Sequence, residues 1–325
     1  MISEEIGVAL VGTGFIAGLH ARALDQVQGA RCLGGYDAEP GKAEAFVAER
    51  GGTAYRSLDE LLADPAVDAV SVLTPKEDHV VSALAALEAG KHVFVEKPVA
   101  PTRGEIETIR DAADKAGRLC VPGHNYIHAP AMRRAKRHLD EGRFGKVSSM
   151  WMIYNFQFGD DWAEVFGGVI REICIHHAYS VLHFLGRPSR LRAVTSNAHF
   201  ETVDAEDQVM IVCELPAGAL ANLWCSVAAN DITSNPWALV YKILGTEGGF
   251  HHTWNECRFA RDTLGYGVTS YLDSFYYEID YFVNQCVARG VPPLSTLDDA
   301  IDALSVLEAV EAAAAGGCAI EIDYG

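Results

Sequence analysis

Side chains that can hold or exchange a proton are concentrated in Gly167–Gly186, whose sequence is GGVIREICIHHAYSVLHFLG. Because a buried ionisable group costs free energy unless it is paired, these residues are either solvated or hydrogen-bonded polar groups or members of a functional site. One continuous helix with 3.6 residues per turn places four of them in a single stripe, namely Glu172, His176, Tyr179 and His183. A carboxylate one turn from an imidazole orients the ring and fixes its tautomer. We therefore expect Glu172 and His176, at positions i and i+4, to form an acid–base pair.

The other ionisable residues of this segment are expected to do less chemistry. His177 is rotated by about 100° from its neighbour, onto a mostly apolar face, and is predicted to pack in the core or at an interface. His183 lies about 10 Å further along the axis than His176, so the two do not share a reacting atom. Cys174 and His176 point about 200° apart on a helix and cannot close one coordination sphere. No metal site is predicted.

A lysine follows a short apolar run in the stretch HVFVEKPVAP. Ligands of open α/β sheets bind beyond the carboxyl ends of the strands. If this run is such a strand, Lys97 emerges where a ligand binds. Its ammonium group could then hydrogen-bond a substrate hydroxyl and stabilise it as it becomes alkoxide-like. On this fragment alone, a surface lysine at a strand end is the simpler alternative.

A glycine turn joins the first apolar run to the first helical pattern, in the stretch VGTGFIAG. Gly12 permits a tight turn, Gly14 lets the backbone approach a pyrophosphate, and Ala17 allows close packing of helix on strand. The start of the helix offers N–H groups to phosphates. The spacing predicts a dinucleotide site.

The second apolar run ends in GGYDAEP, with Asp37 roughly 20 residues beyond the glycines. An aspartate there accepts hydrogen bonds from a ribose 2′-hydroxyl and repels a 2′-phosphate. Ala38 follows, so no adjacent cation is available to receive that phosphate. The sequence therefore favours NAD over NADP.

Short apolar runs alternate with helical patterns over residues 1–123, which predicts a doubly wound parallel sheet of the Rossmann type. The predicted strands of this domain are Ile6–Gly12, Ala30–Asp37, Thr53–Arg56, Ala69–Thr74, His92–Pro98 and Arg118–Gly123. The predicted helices are Ile16–Val27, Pro40–Arg50, Leu58–Leu62, His79–Gly90 and Arg103–Ala116.

The pattern changes over residues 124–325. After a helix at Ala131–Asp140, longer strands follow one another almost without helices, which predicts an α+β domain with a large, open, mostly antiparallel sheet. These strands are GKVSSMWMIYNF, SRLRAVTSNAHF, DQVMIVCELPAG, GALANLWCSVAA and WALVYKILGTEG. Helices at Tyr271–Ala288 and Leu297–Ala315 close the chain.

Bulk properties exclude some classes of partner. The 325 residues are 49% hydrophobic and 22% charged, as in globular domains, and carry a formal net charge of -18. Nucleic acid and anionic membranes favour a basic surface, so neither is expected as a partner. The eight cysteines are dispersed without a C-x-x-C pair, which is typical of a reducing compartment. The start, MISEEIGVAL, does not resemble a signal peptide. A cytoplasmic location is expected.

With these residues in place, the chain resembles the Gfo/Idh/MocA family, the glucose–fructose oxidoreductase and inositol dehydrogenase group. The resemblance covers essentially the whole chain. Besides the glycine turn and Gly167–Gly186, it rests on TPKEDH (Thr74–His79), EAGKHVFVEKP (Glu88–Pro98), GRFGKV (Gly142–Val147), ILGTEGGF (Ile243–Phe250) and the LEAV helix.

The resemblance implies a lysine from an E-K-P motif, and an acid and a histidine from a G-G-x-x-x-D-x-x-x-H helix. Here they correspond to Lys97, Glu172 and His176. In the family the histidine accepts the proton during alcohol oxidation, the lysine holds the same hydroxyl, and hydride passes to the nicotinamide. The expected cofactor contacts are Gly12, Thr13, Gly14, Phe15, Ile16, Asp37, Thr74, Pro75, His79, Glu96 and Lys97. The resemblance also implies a homodimer or homotetramer formed through the C-terminal sheet.

Expected substrate contacts are Lys97, Tyr126, Asn155, Trp162, Glu172, His176 and Tyr179. Aromatic faces and amides suit a polyhydroxylated ring. For Tyr126, Asn155, Trp162 and Tyr179, a role in core or surface packing is an open alternative.

Three departures separate this chain from the common family pattern. Glu172 replaces the usual aspartate, and Tyr179 replaces an aspartate that often follows the histidine by three residues. In NYIHAP, Ile127 stands where the family's N-x-R-F-x-P stretch has arginine.

The leading hypothesis is an NAD-dependent oxidoreductase of a sugar, inositol or related polyol.

Two other classes are open. One is a redox-neutral enzyme with tightly bound NAD, which cleaves a glycoside or epimerises a sugar through a transient ketone. The other is a non-catalytic NAD-binding regulator. The set of Lys97, Glu172 and His176 argues against the regulator, because a sensor needs none of these groups.

Overall fold

The structure, a computed structural model, describes the backbone of residues 5–230, 238–254, 256–259, 262–266 and 271–325, and the side chains of residues 5–230, 239–254 and 271–325. The strands in these ranges are β1 (Ile6–Val11), β2 (Ala30–Tyr36), β3 (Thr53–Ala54), β4 (Ala69–Val72), β5 (His92–Val95), β6 (Cys120–Pro122), β7 (Val147–Asn155), β8 (Arg190–Ser196), β9 (Gln208–Glu214), β10 (Leu220–Ser226), β11 (Ala238–Gly245), β12 (Gly249–Thr253), β13 (Glu256–Phe259), β14 (Asp262–Tyr266) and β15 (Ile320–Glu321).

The helices in these ranges are α1 (Phe15–Gln26), α2 (Lys42–Arg50), α3 (Leu58–Ala63), α4 (His79–Glu88), α5 (Arg103–Ala116), α6 (Pro130–Asp140), α7 (Asp160–Phe166), α8 (Val169–Glu172), α9 (Ile175–Leu185), α10 (Tyr271–Asp280) and α11 (Leu297–Gly316). Short 3-10 turns lie at Lys76–Asp78 and Asn125–His128, and a π-helical segment, Tyr281–Val287, follows α10.

The chain forms two compact units that do not correspond to a single cut in the sequence. The first contains Met1–His128 and Leu272–Ile301, and the second contains Ala129–Tyr271 and Asp302–Gly325. The sequence-based boundary after residue 123 places all of the C-terminal helices in the second domain. In the structure almost all of α10, and the start of α11, belong to the first unit.

The first unit is built on a six-stranded parallel sheet in the order β3-β2-β1-β4-β5-β6. Its central strands are buried on both faces, which is why they read as continuous apolar runs rather than as alternating patterns. The strand order reverses between β1 and β4, and open α/β sheets bind their ligands at such a reversal. The predicted Rossmann-type doubly wound sheet is confirmed.

The second unit contains a nine-stranded sheet in the order β14-β13-β12-β11-β7-β10-β9-β8-β15. All neighbouring strands are antiparallel except β10 and β7, which run parallel. Along β8 and β9, buried residues alternate with exposed ones. One face of these strands is therefore covered and the other is open, as predicted for a large, mostly antiparallel sheet.

Several boundaries and elements differ from the prediction. The five predicted C-terminal strands correspond to β7–β11, each shorter than expected, whereas the pattern missed β12–β15. The predicted helix Tyr271–Ala288 is α10 followed by the π-helical segment. Residue 237 of the predicted strand WALVYKILGTEG, residues 1–4 of the chain start and the Cys257 side chain lie outside the described residues.

Candidate active site

The glycine turn at the end of β1 is constrained on two sides. Gly12 has φ of +91°, and its N–H donates to the Tyr36 carbonyl at 2.8 Å. A Cβ added at Gly12 would lie 2.8 Å from backbone atoms of Leu73 and Thr74, which follow β4. Glycine is therefore required both by the backbone conformation and by the approach of the neighbouring strand end.

Asp37, after β2, is bonded to the glycine turn. Its Oδ2 accepts the Thr13 backbone N–H at 2.8 Å and the Thr13 hydroxyl at 3.0 Å, while Oδ1 accepts the Glu39 N–H at 2.9 Å. Desolvation works to raise the pKa of Asp37, but these hydrogen bonds outweigh it and lower the pKa. A carboxylate is thus fixed beside the turn where the sequence placed one.

His79 joins the loops that follow β4 and β5. Its Nδ1 lies 2.9 Å from the Pro98 carbonyl oxygen, and its Nε2 lies 2.8 Å from the Thr74 carbonyl oxygen. Burial lowers the pKa of His79, against the effect of these hydrogen bonds. The His79 imidazole therefore connects two other parts of the predicted cofactor site, Thr74 and the E-K-P loop.

The Glu96 side chain is directed into the protein rather than outward. Its Oε1 lies 3.1 Å from His20 Nε2 on α1, and its Oε2 accepts the Lys97 N–H at 2.9 Å. Desolvation alone would raise the pKa of Glu96, but the His20 hydrogen bond, the Lys97 charge and the Lys97 N–H lower it. Glu96 holds the backbone of the loop that carries Lys97, a role that the motif alone did not reveal.

The residues around the turn fit a dinucleotide. Gly14 is exposed, no atom lies within 4 Å of the position of an added Cβ, and it precedes the twelve-residue helix α1 without a side-chain cap. The exposed backbone at Gly14 therefore leaves room for a pyrophosphate at the start of α1. Phe15 is 71% exposed beside them. Ile16 is half-buried and Pro75 is exposed.

The segment Gly167–Gly186 is not one helix. The backbone N–H of Cys174 bonds to the Val169 carbonyl, and that of His176 bonds to the Ile173 carbonyl, so the regular i to i−4 ladder is interrupted between α8 and α9. The prediction of one continuous helix is therefore wrong, because Ile173 and Cys174 separate α8 from α9. The pairing of Glu172 with His176 stays a prediction. Glu172 is 6% exposed at the end of α8.

Within α9 the helical spacing holds and separates the two adjacent histidines. His176 is 6% exposed, and its Nδ1 lies 2.8 Å from the Tyr179 hydroxyl, one turn further along the helix. His177 is fully buried, and its Nε2 is 3.0 Å from the Trp224 carbonyl of β10. The prediction that His177 packs is confirmed. Tyr179, predicted as a substrate contact or a packing residue, is hydrogen-bonded to the His176 ring.

Residues that the sequence reasoning missed hold α8 in place. The Glu206 carboxylate accepts the Ile170 N–H at 3.1 Å, and a Cβ at Gly168 would overlap that carboxylate. Arg171 forms a two-pronged ion pair with Glu311 of α11, at 2.5 and 2.6 Å. The signal in the sequence was Gly167–Gly168, but only the structure shows which acid lies against it.

The remaining predicted substrate residues occupy different surroundings. Tyr126 lies in the 3-10 turn of the first unit and is 1% exposed. Asn155 ends β7, and its Oδ1 is buried without a hydrogen-bond partner among the described residues. Trp162 on α7 lies between Phe158 and Phe166, with ring centroids 5.4 Å from each.

Two features are absent from the described part of the chain. No group of three or more His, Cys, Asp or Glu side chains is arranged to hold a metal ion there. No helix in that part combines the length and the apolar character needed to cross a bilayer.

Comparison with known proteins identifies both regions. Residues 6–124 match the sequence profile described as "Oxidoreductase family, NAD-binding Rossmann fold", and residues 132–251 match the C-terminal domain of the same family. Scyllo-inositol 2-dehydrogenase (NAD(+)) of Bacillus subtilis (strain 168) is 26% identical over 349 residues, covering 99% of this chain and 98% of the relative. A 1,5-anhydro-D-fructose reductase of Ensifer adhaerens is 32% identical over 214 residues, which cover 63% of this chain and 62% of the relative.

Two solved structures share the fold over nearly the whole chain. GenD2 from gentamicin A biosynthesis, in complex with NAD, has a TM-score of 0.85 and 26% identity, covering 99% of this chain and 98% of that one. Levoglucosan dehydrogenase, in complex with NADH and levoglucosan, has a TM-score of 0.87 and 20% identity, covering 99% and 100%. Together with the glycine turn and the two sheets, these matches show that the chain belongs to the Gfo/Idh/MocA family of oxidoreductases.

Proposed function

We propose that this protein is an NAD(H)-dependent oxidoreductase that interconverts a secondary alcohol and a ketone on a sugar, inositol or related polyol. The observation that carries the proposal is the buried His176, held through Nδ1 by the Tyr179 hydroxyl, in a chain of this family. The first unit, in this proposal, holds the cofactor, and the second supplies substrate contacts and subunit association.

The proton is assigned to Nε2 of His176. A tyrosine hydroxyl both donates and accepts hydrogen bonds. In alcohol oxidation Nδ1–H donates to the Tyr179 oxygen and Nε2 accepts the substrate proton; in ketone reduction the imidazolium returns it. Tyr179 thus supports the ring in both protonation states. When NAD(H) is bound, its nicotinamide supplies or accepts the hydride.

Lys97 is assigned to the same substrate hydroxyl, as the family resemblance implies. Its ammonium stabilises negative charge that develops on that oxygen. The Glu96 hydrogen bond to the Lys97 N–H supports this role because it fixes the backbone from which the side chain extends. Glu172, at the end of α8, is assigned to the acid–base machinery together with Lys97 and His176, as the family resemblance implies.

NAD is proposed in preference to NADP. The Asp37 carboxylate is bonded to Thr13 and Glu39 and stands at the end of β2, where a ribose binds in this fold. Its lowered pKa keeps it charged at neutral pH, so it would repel a 2′-phosphate.

The substrate is proposed to contact Tyr126, Asn155, Trp162 and Tyr179. Asn155 is the strongest of these candidates, because its buried Oδ1 has no partner among the described residues and buried polar atoms are nearly always bonded. A substrate hydroxyl would satisfy it.

A homo-oligomer formed through the open sheet face is also proposed. Large apolar side chains are exposed on this face, at Trp151, Val194, Met210, Val212, Leu220 and Leu244. Contiguous exposed apolar surface of this kind marks an interaction site. The cytoplasmic location stays a prediction from the dispersed cysteines.

The test is a panel of sugars, inositols, their acids and their keto forms, each assayed with NAD and with NADP by nicotinamide absorbance. We expect an NAD-linked absorbance change with at least one polyol, and its loss in His176→Ala. Binding of NAD with consumption of a substrate but no net absorbance change would instead indicate the redox-neutral alternative.

A further inference from the structure

Glu278, on α10, is a buried acid that the proposed reaction does not use. It is 1% exposed, and neither carboxyl oxygen has a hydrogen-bond partner among the described residues. An ionised carboxylate in such surroundings is far more costly than a neutral carboxylic acid. Burial, followed by the charge of Glu96, raises the pKa of Glu278 well above its ordinary value.

The helix face that carries Glu278 packs inside the first unit. Phe275, one turn before Glu278, meets the His20 ring edge-on with centroids 5.6 Å apart. Ser274, four residues before Glu278, accepts the Asn125 side-chain N–H at 3.0 Å. Helical spacing of three and four residues places these side chains on one face. Glu278 therefore points toward the region of His20.

From His20 a chain of hydrogen bonds leads to the proposed active-site lysine. His20 Nε2 lies 3.1 Å from Glu96 Oε1, and Glu96 Oε2 accepts the Lys97 N–H at 2.9 Å. His20 Nδ1 is buried without a hydrogen-bond partner in the described part of the chain. One negative charge, on Glu96, is thus compensated locally by His20 and Lys97.

We propose that the buried Glu278 carboxyl is a positioning residue, which stays protonated so that a single carboxylate, Glu96, can hold the Lys97 backbone in place. Ionisation of Glu278 adds a second negative charge beside Glu96 in a region of low dielectric. Repulsion between the two then displaces Glu96 from its bonds to His20 and Lys97. The kinetic consequence rests on the proposed function, whereas the protonation state does not.

The ionisable groups around this pair lie on four elements. They are His20 on α1, Glu96 and Lys97 after β5, His79 on α4, and Glu278 itself on α10. The residue after β6 also approaches this pair, since a Cβ added at Gly123 would lie 3.2 Å from the Glu96 Cα. The ionisable residue that follows Gly123 is His124, whose Nδ1 is hydrogen-bonded to Ser295. Glu278 is the member of this set whose ionisation adds unfavourable charge.

The pH dependence has a defined sign. The folded protein binds a proton at Glu278 that the unfolded chain releases above about pH 4.3. The free energy of unfolding therefore falls as the pH rises from there toward the raised folded-state pKa. Glu278→Gln, whose side chain is neutral and similar in shape, removes this pH-dependent decrease in the free energy of unfolding. Its melting temperature relative to wild type should increase with pH across that range.

The first experiment measures protonation and stability without substrate. Infrared difference spectra of wild type minus Glu278→Gln at neutral pH should contain a carboxylic-acid C=O band. In thermal unfolding between about pH 5 and about pH 9, the difference in melting temperature between Glu278→Gln and wild type should increase with pH. Glu107→Gln, which removes an exposed carboxylate on α5, is the matched control and should show neither effect. If Glu278→Gln does not fold, Glu278→Met replaces it.

The second experiment measures the coupling to Glu96. In a Glu96→Gln background the repelling charge is absent, so the pH-dependent gain from Glu278→Gln should shrink. An unchanged gain in that background, or a carboxylate band for Glu278 at neutral pH, would overturn the proposal.

The third experiment tests positioning by kinetics. On the alkaline side, kcat of Glu278→Gln should fall at a higher pH than kcat of wild type, with little change in KM. Identical pH profiles would reduce Glu278 to a structural residue. A protein with no oxidoreductase activity toward any polyol would contradict the proposed function, while the infrared and unfolding results would still decide the protonation of Glu278.

Discussion

The two units present their candidate functional residues by different means. In the first unit, backbone geometry creates the site: Gly12 has a positive φ and a neighbouring strand end against it, and Gly14 opens onto free space. In the second unit, side chains create the site: the Tyr179 hydroxyl orients His176, and Glu206 holds the start of the preceding helix.

This difference explains where sequence reasoning succeeded. A backbone-made site depends on residue types that have few substitutes, so glycines at fixed spacing predict it well. A site made by side chains depends on which residues meet across the fold, and those partners are distant in sequence or shifted by a break in a helix.

The largest expected effect separates the two adjacent histidines. His176→Ala should lower turnover by about 10²-fold or more, because a general acid–base group is lost, with NADH affinity nearly unchanged. His177→Ala should instead lower the free energy of unfolding by about 2–4 kcal/mol, because a buried ring and its bond to Trp224 are removed. Steady-state kinetics and denaturant unfolding measure both. Loss of turnover in a well-folded His177→Ala, with His176→Ala spared, would invert the assignment.

The glycine pair tests the backbone-made site. Gly12→Ala should destabilise the protein by about 2 kcal/mol or more, because its Cβ meets the Leu73–Thr74 backbone and its φ is positive. Gly14→Ala should change stability by less than about 0.5 kcal/mol. Its methyl group enters the space proposed for the pyrophosphate, so NADH should bind about tenfold more weakly. Fluorescence titration and unfolding measure the two quantities. Unchanged NADH binding by Gly14→Ala would contradict the proposed cofactor position.

Tyr179→Phe tests the site made by side chains. Loss of one hydrogen bond to the His176 ring, with the aromatic ring retained, should lower kcat by about tenfold. The control is Tyr154→Phe, since the Tyr154 ring also contacts His176, with a centroid distance of 5.8 Å. If both variants keep wild-type kcat, the tyrosine bond does not orient the general base.

The smallest effect concerns cofactor choice. Asp37→Ala should narrow the preference for NAD over NADP by about tenfold in kcat/KM, because a fixed charge beside the ribose is lost. Asp37→Asn keeps most of the hydrogen-bonding shape while removing the charge, so it separates the two contributions. A wild-type protein that already prefers NADP would show that this carboxylate does not set the choice.

The sequence predicted the parallel sheet, the glycine turn and the packing of His177, because each follows from short-range periodicity or from residue type. It did not predict the break before α9, since no proline marks it. The break consists only of a change in backbone acceptors: the Cys174 N–H bonds to the Val169 carbonyl, and the His176 N–H bonds to the Ile173 carbonyl. Nor did the sequence predict that α10 returns to the first unit, because the partner of an amphipathic helix is not encoded within the helix. The pairing of Glu96 with His20 spans 76 residues and is visible only in three dimensions.

The contact between Gly168 and Glu206 has a consequence for engineering. Selectivity is often redesigned by exchanging a catalytic segment between relatives, and residues 167–179 are the natural unit to exchange here. A donor segment with a side chain at position 168 would displace the Glu206 carboxylate from the Ile170 N–H, and a donor lacking an acid at position 206 would leave that N–H without its acceptor. A working chimera therefore has to transfer position 206 together with α8, although α9 and β8 lie between them in the sequence.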